Sequence, residues 1–162
     1  MKTLIVYGTK YGTTEKAAKI LQERLPGQVE LVNLKENSRP SMKDYDVVLV
    51  GSAVYGGGIR KEVRRFFDHQ KGELFQKPFG LFLAAGNTLE VKRNYVVYVG
   101  KDVFDKAGIR EHIGFGFDFS KMNFLEKVIT KKVAKVNKDM ESINYQGIEN
   151  IIHWACEVGG VK

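Results

Sequence analysis

"TLIVYGTKYGTTEKAAKILQERL", residues 3–25, sets a short apolar run against a turn of glycines and threonines, and the turn against a helical pattern. The run over 3–7 is the kind of β-branched and aromatic segment that forms a strand buried on both faces. From Thr14 onward, Ala17, Leu21 and Leu25 fall along one helical face. Strand, tight turn and helix in succession form the first half of a β-α-β unit.

The same grammar repeats downstream. "VELVNL" (29–34), "DVVLVGS" (46–52), "FGLFLAAG" (79–86) and "HIGFGFDF" (112–119) read as further strands. Helical patterns over 14–25, 60–70 and 91–107 separate them, and a last helix over 147–157 buries Ile148, Ile151, Ile152 and Ala155. The connection over 35–45 contains Pro40 and has room for a short helix at most. Alternation of this kind implies right-handed crossovers. The expectation is an α/β, doubly wound five-stranded parallel sheet in a single domain over 1–162. Ligands of such sheets bind at the carboxyl ends of the strands, where strand order reverses.

Composition narrows the chemistry. The single Cys156 excludes an internal disulfide framework and is read as a small packed side chain beside Trp154. A reducing cytoplasm follows as the expected compartment, since no signal-like segment and no run long enough to span a bilayer is seen. His69, His112 and His153 lack partners at ligand or catalytic spacing and are read as structural or surface residues, with no metal site expected. No acid-base set stands out, so no catalytic residue is assigned. A net charge of +7 favours anionic partners. Nucleic acid is not expected, because basic and aromatic residues are not interleaved.

Three loops gather at the expected rim. In "GTKYGTTE" (8–15), Gly8 and Gly12 let the backbone curl, while Thr9, Thr13 and Thr14 offer hydroxyls to a phosphate at a helix N-terminus. Thr13 or Thr14 would serve equally as an N-cap of that helix. Neither a Walker loop nor a G-x-G-x-x-G dinucleotide pattern is present. "AVYGGG" (53–58) pairs flexible backbone with the aromatic face of Tyr55, and "AAGNT" (84–88) is small and polar.

These residues carry a resemblance. Thr9, Gly12 and Thr14 resemble the T-x-T-G-x-T phosphate loop of the flavodoxins, with Tyr11 in place of the middle threonine. "GSAVYGGGIRKEV" (51–63) resembles the segment found in the subgroup that includes menaquinone-dependent protoporphyrinogen IX dehydrogenase. The resemblance implies strand order 2-1-3-4-5, a helical insertion before the last helix, and noncovalent flavin mononucleotide (FMN). The phosphate would lie against Thr9, Lys10, Tyr11, Gly12, Thr13 and Thr14. The ring would lie between Ala53, Val54, Tyr55, Gly56, Gly57 and Gly58 on one side and Ala85, Gly86, Asn87 and Thr88 on the other. The third loop departs from many flavodoxins in having Asn87 and Thr88 where they stack an aromatic. The implied activity is oxidation of a tetrapyrrole or another conjugated anionic substrate, with quinone or a redox protein as partner. The rival is an electron carrier between proteins.

Charge bears on that choice. Arg60, Lys61, Lys92 and Arg93 follow the ring loops and are the expected substrate contacts. One cation about 8 Å from a reduced ring, at an effective dielectric of about 20, stabilises it by roughly 2 kcal/mol before screening. This favours electron acceptance from a substrate. In "SKMNFLEKVITKKVAKVNK" (120–138), Met122, Leu125, Ile129, Val133 and Val136 sit at helical spacing among lysines. The expected arrangement covers the sheet with the apolar face and leaves the lysines in water. The alternative is contact with the inner face of a membrane, near quinone.

Overall fold

The computed structural model describes residues 1–86, 88–133 and 135–161. β1 (Lys2–Gly8) is central, as its run of apolar residues requires. Leu4 and Val6 enter one core layer while Ile5 and Tyr7 enter the other, so both faces of the strand are buried. α1 (Thr13–Arg24) follows, then β2 (Gln28–Asn33), β3 (Val47–Tyr55), a two-residue β4 (Gly58–Ile59) and α2 (Lys61–Leu74). β5 (Phe79–Ala84) leads to α3 (Thr88–Val99), α4 (Lys101–Lys106) and β6 (Ile109–His112). The chain ends with β7 (Gly114–Phe117), a 3-10 turn at Phe119–Lys121, α5 (Phe124–Val133), β8 (Met140–Ile143) and α6 (Tyr145–Val158).

The parallel strands run in the order β2-β1-β3-β5-β6, the doubly wound arrangement expected. α1 and α6 cover one face, burying Ala17, Leu21, Ile148 and Ile151 against Ile5, Leu49 and Phe82. On the other face α2, α3 and α4 bury Phe66, Tyr95 and Val103 against Leu4, Val50 and Leu81. Strand order reverses between β1 and β3, where Gly8 pairs with Ser52, and Ser52 in turn with Leu83 of β5. The loops leaving these three strands therefore share one rim.

Four expectations are corrected. The run over 112–119 is two strands: β6 closes the parallel sheet earlier, and β7 peels away to pair antiparallel with β8. Gly114, at φ 108, makes the turn between them. The insertion is therefore a helix inside a hairpin. The helical pattern over 91–107 breaks at Gly100, which takes φ 91 and separates α3 from α4. The strand expected to end at 52 runs on to Tyr55, and Gly56 and Gly57, with the positive dihedrals expected of them, are the tip of a hairpin and not part of a longer loop. With φ 59 and 79 they make a two-residue turn that pairs Tyr55 with Gly58, the positive dihedrals matching the twist of a hairpin.

The fourth correction concerns α5. Met122 is buried, but Phe124, Leu125, Val128 and Ile129 are 83%, 65%, 44% and 46% exposed. Its apolar side chains do not cover the sheet, because the β7–β8 hairpin holds the helix out at the rim. Among the described residues, no helix is long and apolar enough to cross a membrane.

Candidate functional site

The turn after β1 is shaped by Gly12, the N-cap of α1, whose φ of 99 is open to glycine at little cost. Its N–H donates to Thr9 Oγ1 at 3.0 Å, which closes the turn. No side chain caps α1, so the capping role considered for Thr13 and Thr14 is not the one observed. Both threonines lie inside the first turn and are buried. Thr14 is fully buried and its Oγ1 has no hydrogen-bond partner. A buried hydroxyl without a partner costs about 1–3 kcal/mol, so its place on the cavity wall marks a position prepared for another polar group. Gly8 acts differently from the expected curl. A β-carbon there would lie 2.7 Å from Val63 Cγ2, so it permits close packing of β1 against α2.

Thr9, Lys10, Tyr11, Thr13 and Thr14 line one cavity with Ala53, Val54, Tyr55, Ala84, Ala85 and Gly86. Its volume is about 40 Å³, room for a water molecule or two. Its roof is a polar and aromatic cluster. The Lys10 ammonium lies 3.7 Å from the Tyr55 ring centroid, and the Tyr11 ring meets Tyr55 edge-on at 6.0 Å. Lys10 Nζ also donates to Glu126 of α5, which accepts the Tyr11 hydroxyl at 3.5 Å. Burial, then Tyr55 and Glu126, hold the Tyr11 phenol well above its ordinary pKa. Glu126 is shifted the opposite way, its carboxyl lowered chiefly by the hydrogen bond from Lys10.

A second recess, of about 150 Å³, shares the walls Val54–Tyr55 and Ala85–Gly86 and adds Gly56, Gly57, Val91 and Tyr98. Gly58 follows in β4, with Arg64 Nη2 3.1 Å from where its β-carbon would stand. The third loop is fixed by its neighbours. Ala85 N–H donates to Gly114 O at 2.9 Å, and Ala85 O accepts from buried His112 Nε2 at 2.8 Å. His112 is thus a structural histidine. The hairpin is pinned by Ser52, whose Oγ accepts the Arg60 N–H at 3.0 Å.

The expected cation set is only partly placed. Arg60 is tied to Glu62 at 3.2 Å, with Glu62 nearly buried, while Lys61 is exposed at the start of α2. Lys92 and Arg93 fall on α3, as does Thr88, and their side chains lie outside the described residues, as does Asn87 altogether.

Sequence reading missed the contribution of β7. Phe115, Gly116 and Phe117 complete the first cavity. The Phe117 ring stands 2.9 Å from where a Gly86 β-carbon would be, placing an aromatic against a third loop that has none of its own. Gly116 lets Thr13 approach, since a β-carbon there would fall 2.0 Å from Thr13 Oγ1. The repeated glycine and phenylalanine of "GFGF" were the available signal, absorbed into an ordinary strand.

Several solved structures are similar. The flavodoxin, WrbA-like protein from Agrobacterium tumefaciens aligns with a TM-score of 0.58 at 19% identity, covering 99% of this chain and 96% of that one. Rubredoxin oxygen:oxidoreductase from Desulfovibrio gigas aligns at 0.57 and 19% identity, over 98% of this chain. The chain spans only 35% of that larger protein. A flavoprotein from Lactobacillus acidophilus, solved in complex with FMN, aligns at 0.51 and 17% identity, covering 82% and 98% of the two chains. At these identities the likeness is one of fold. No curated protein sequence matches the chain. A family model for the flavodoxin domain matches residues 4–144, most of the length, and the chain belongs to that family.

Proposed function

We propose that this protein is a redox flavoprotein that binds FMN noncovalently across the two neighbouring cavities, which share the walls Val54–Tyr55 and Ala85–Gly86. The observation that carries the reading is Thr14 Oγ1, fully buried and unpartnered on the cavity wall at the N-terminus of α1. An anion there gains the helix dipole, the first-turn N–H groups and that hydroxyl together. Thr9, Lys10, Gly12, Thr13 and Thr14 would hold the phosphate; Tyr55, Gly56, Gly57, Ala85 and Gly86 would border the ring, with Phe117 against the third loop. Bound FMN supplies one- or two-electron transfer. The chain's part is to bind, orient and shield: Tyr55 offers its ring at both cavities, Phe117 walls the first and Tyr98 the second against water. FMN in the Lactobacillus acidophilus flavoprotein of the same fold is consistent with this choice of ligand.

The activity we infer is oxidation of a conjugated anionic substrate such as a tetrapyrrole, its carboxylates meeting exposed Lys61 at the rim. That finer reading rests on the resemblance of residues 51–63 and on the basic balance of the chain. Titration of the purified protein with FMN tests the cofactor: a shifted visible spectrum and quenched flavin fluorescence are expected, and an unchanged spectrum overturns the reading. Anaerobic addition of protoporphyrinogen IX tests the substrate. Bleaching of the bound flavin is expected, whereas reduction only through a reductase would assign an electron carrier.

A further inference from the structure

We propose that two side chains of the insertion, Lys121 and Glu126, set the preference of the first loop for a phosphorylated over an unphosphorylated flavin. Lys121 is a direct ligand of the phosphate, and Glu126 competes with the phosphate for Lys10. The inference rests on the flavin reading of the site and adds to it two residues from outside the three rim loops.

The position of Lys121 is the first observation. Its Nζ would stand 3.9 Å from a β-carbon at Gly12, directly over the N-cap of α1. A helix N-terminus carries partial positive charge, so an ammonium is repelled there unless an anion lies between. The ion-pair partner of Lys121 is Asp118 at 3.2 Å, three residues earlier on an exposed turn. That pair holds the ammonium over the loop without neutralising the helix end. The unpartnered Thr14 Oγ1 is the independent second observation: Thr14 lies two residues after Gly12 in the first turn of α1 and lines the first cavity, and its hydroxyl is buried without a partner. A phosphate between them would join Lys121, the first-turn N–H groups and the orphaned hydroxyl.

Glu126 works in the opposite sense. Its carboxylate takes Lys10 Nζ and the Tyr11 hydroxyl, and its own position is fixed by Asn123, whose N–H donates to it at 3.1 Å. Lys10 is thereby drawn over Tyr55. A phosphate must win Lys10 from this internal anion before the roof of the cavity can open. Riboflavin, lacking the phosphate, neither gains from Lys121 nor competes with Glu126.

The test compares FMN and riboflavin binding by fluorescence quenching at low salt, in the full chain and in Lys121→Met, Glu126→Gln and Lys131→Met. Lys131 is an exposed lysine of α5, so its variant controls for net charge. Lys121→Met is expected to weaken FMN about tenfold, the size of one charge-assisted contact, and riboflavin by less than about twofold. Glu126→Gln is expected to tighten FMN about threefold, and Lys131→Met to change neither ligand by more than about twofold. Equal losses for both flavins, or equal effects of Lys121→Met and Lys131→Met, overturn the proposal. If the unmodified chain binds neither flavin, inorganic phosphate separates the two readings by thermal shift. Phosphate stabilisation that is lost in Lys121→Met keeps Lys121 as an anion ligand and removes the flavin reading. Absence of any phosphate effect on the unmodified chain removes both.

Discussion

The ammonium of Lys10, from the turn after β1, lies 3.7 Å from the ring centroid of Tyr55, at the end of β3. This one contact joins two loops that are forty-five residues apart and roofs the cavity between them. It also covers the aromatic face that a planar ligand would use. Tyr55→Ala is therefore expected to weaken FMN about tenfold, the loss of one aromatic stacking partner. Because Tyr55 is only partly buried, thermal unfolding should stay within a few degrees of the unmodified protein. Equal losses of affinity and fold stability would count against a stacking role.

Thr14→Val keeps the shape of the side chain and removes the orphaned hydroxyl. The ligand-free protein is expected to gain about 1 kcal/mol, since an unsatisfied buried group disappears, while FMN affinity falls about tenfold. Denaturant titration and flavin titration on the same preparation read the two signs. A loss of both would mean that Thr14 serves packing alone.

Gly116→Ala drives a methyl group into Thr13 Oγ1. A β-carbon 2.0 Å from that oxygen forces β7 and the first turn of α1 apart, at a cost of about 1–3 kcal/mol. Flavin binding should fall with it, because Thr13 and Phe117 move together. Unaltered binding would show that β7 has no part in shaping the site.

Acid should loosen the insertion. Lys10 holds the Glu126 carboxyl below its ordinary range, so the pair adds stability above the ordinary carboxylate pKa of about 4.3. That contribution is lost as pH falls through the lower, folded-state value. The stability difference between the unmodified protein and Glu126→Gln should be flat above about pH 6 and shrink below about pH 4. A difference that grows in acid would contradict the assigned sign.

The exposed side chains of α5 should respond to substitution far less than the core of α2. Phe124 is 83% exposed, so Phe124→Ser is expected to change unfolding by less than about 0.5 kcal/mol. Phe66 is fully buried against β1 and β3, and Phe66→Ala should cost about 3–5 kcal/mol. A large loss at Phe124 would mean that α5 covers apolar surface after all.

The doubly wound sheet was legible in the order of residues, because burial of each parallel strand on both faces demands continuous apolar runs such as 3–7 and 46–52. That order also pointed to one rim as the place of the candidate site. Once strand, turn and helix alternate, Thr9, Gly12, Thr13 and Thr14 can lie nowhere but the carboxyl rim, beside Tyr55. Local pattern could not show how the "GFGF" run divides between two sheets, since β7 finds its partner β8 more than twenty residues later. Nor could periodicity decide the fate of α5. Apolar side chains at helical spacing look alike whether they cover a sheet or face water, and the β7–β8 hairpin decides which. The lowered Glu126, the covered Tyr55 ring and the approach of Lys121 to Gly12 all depend on that hairpin. Tertiary structure alone set those charges over the first loop, because ion pairs and ring contacts depend on distances that close only when remote segments pack.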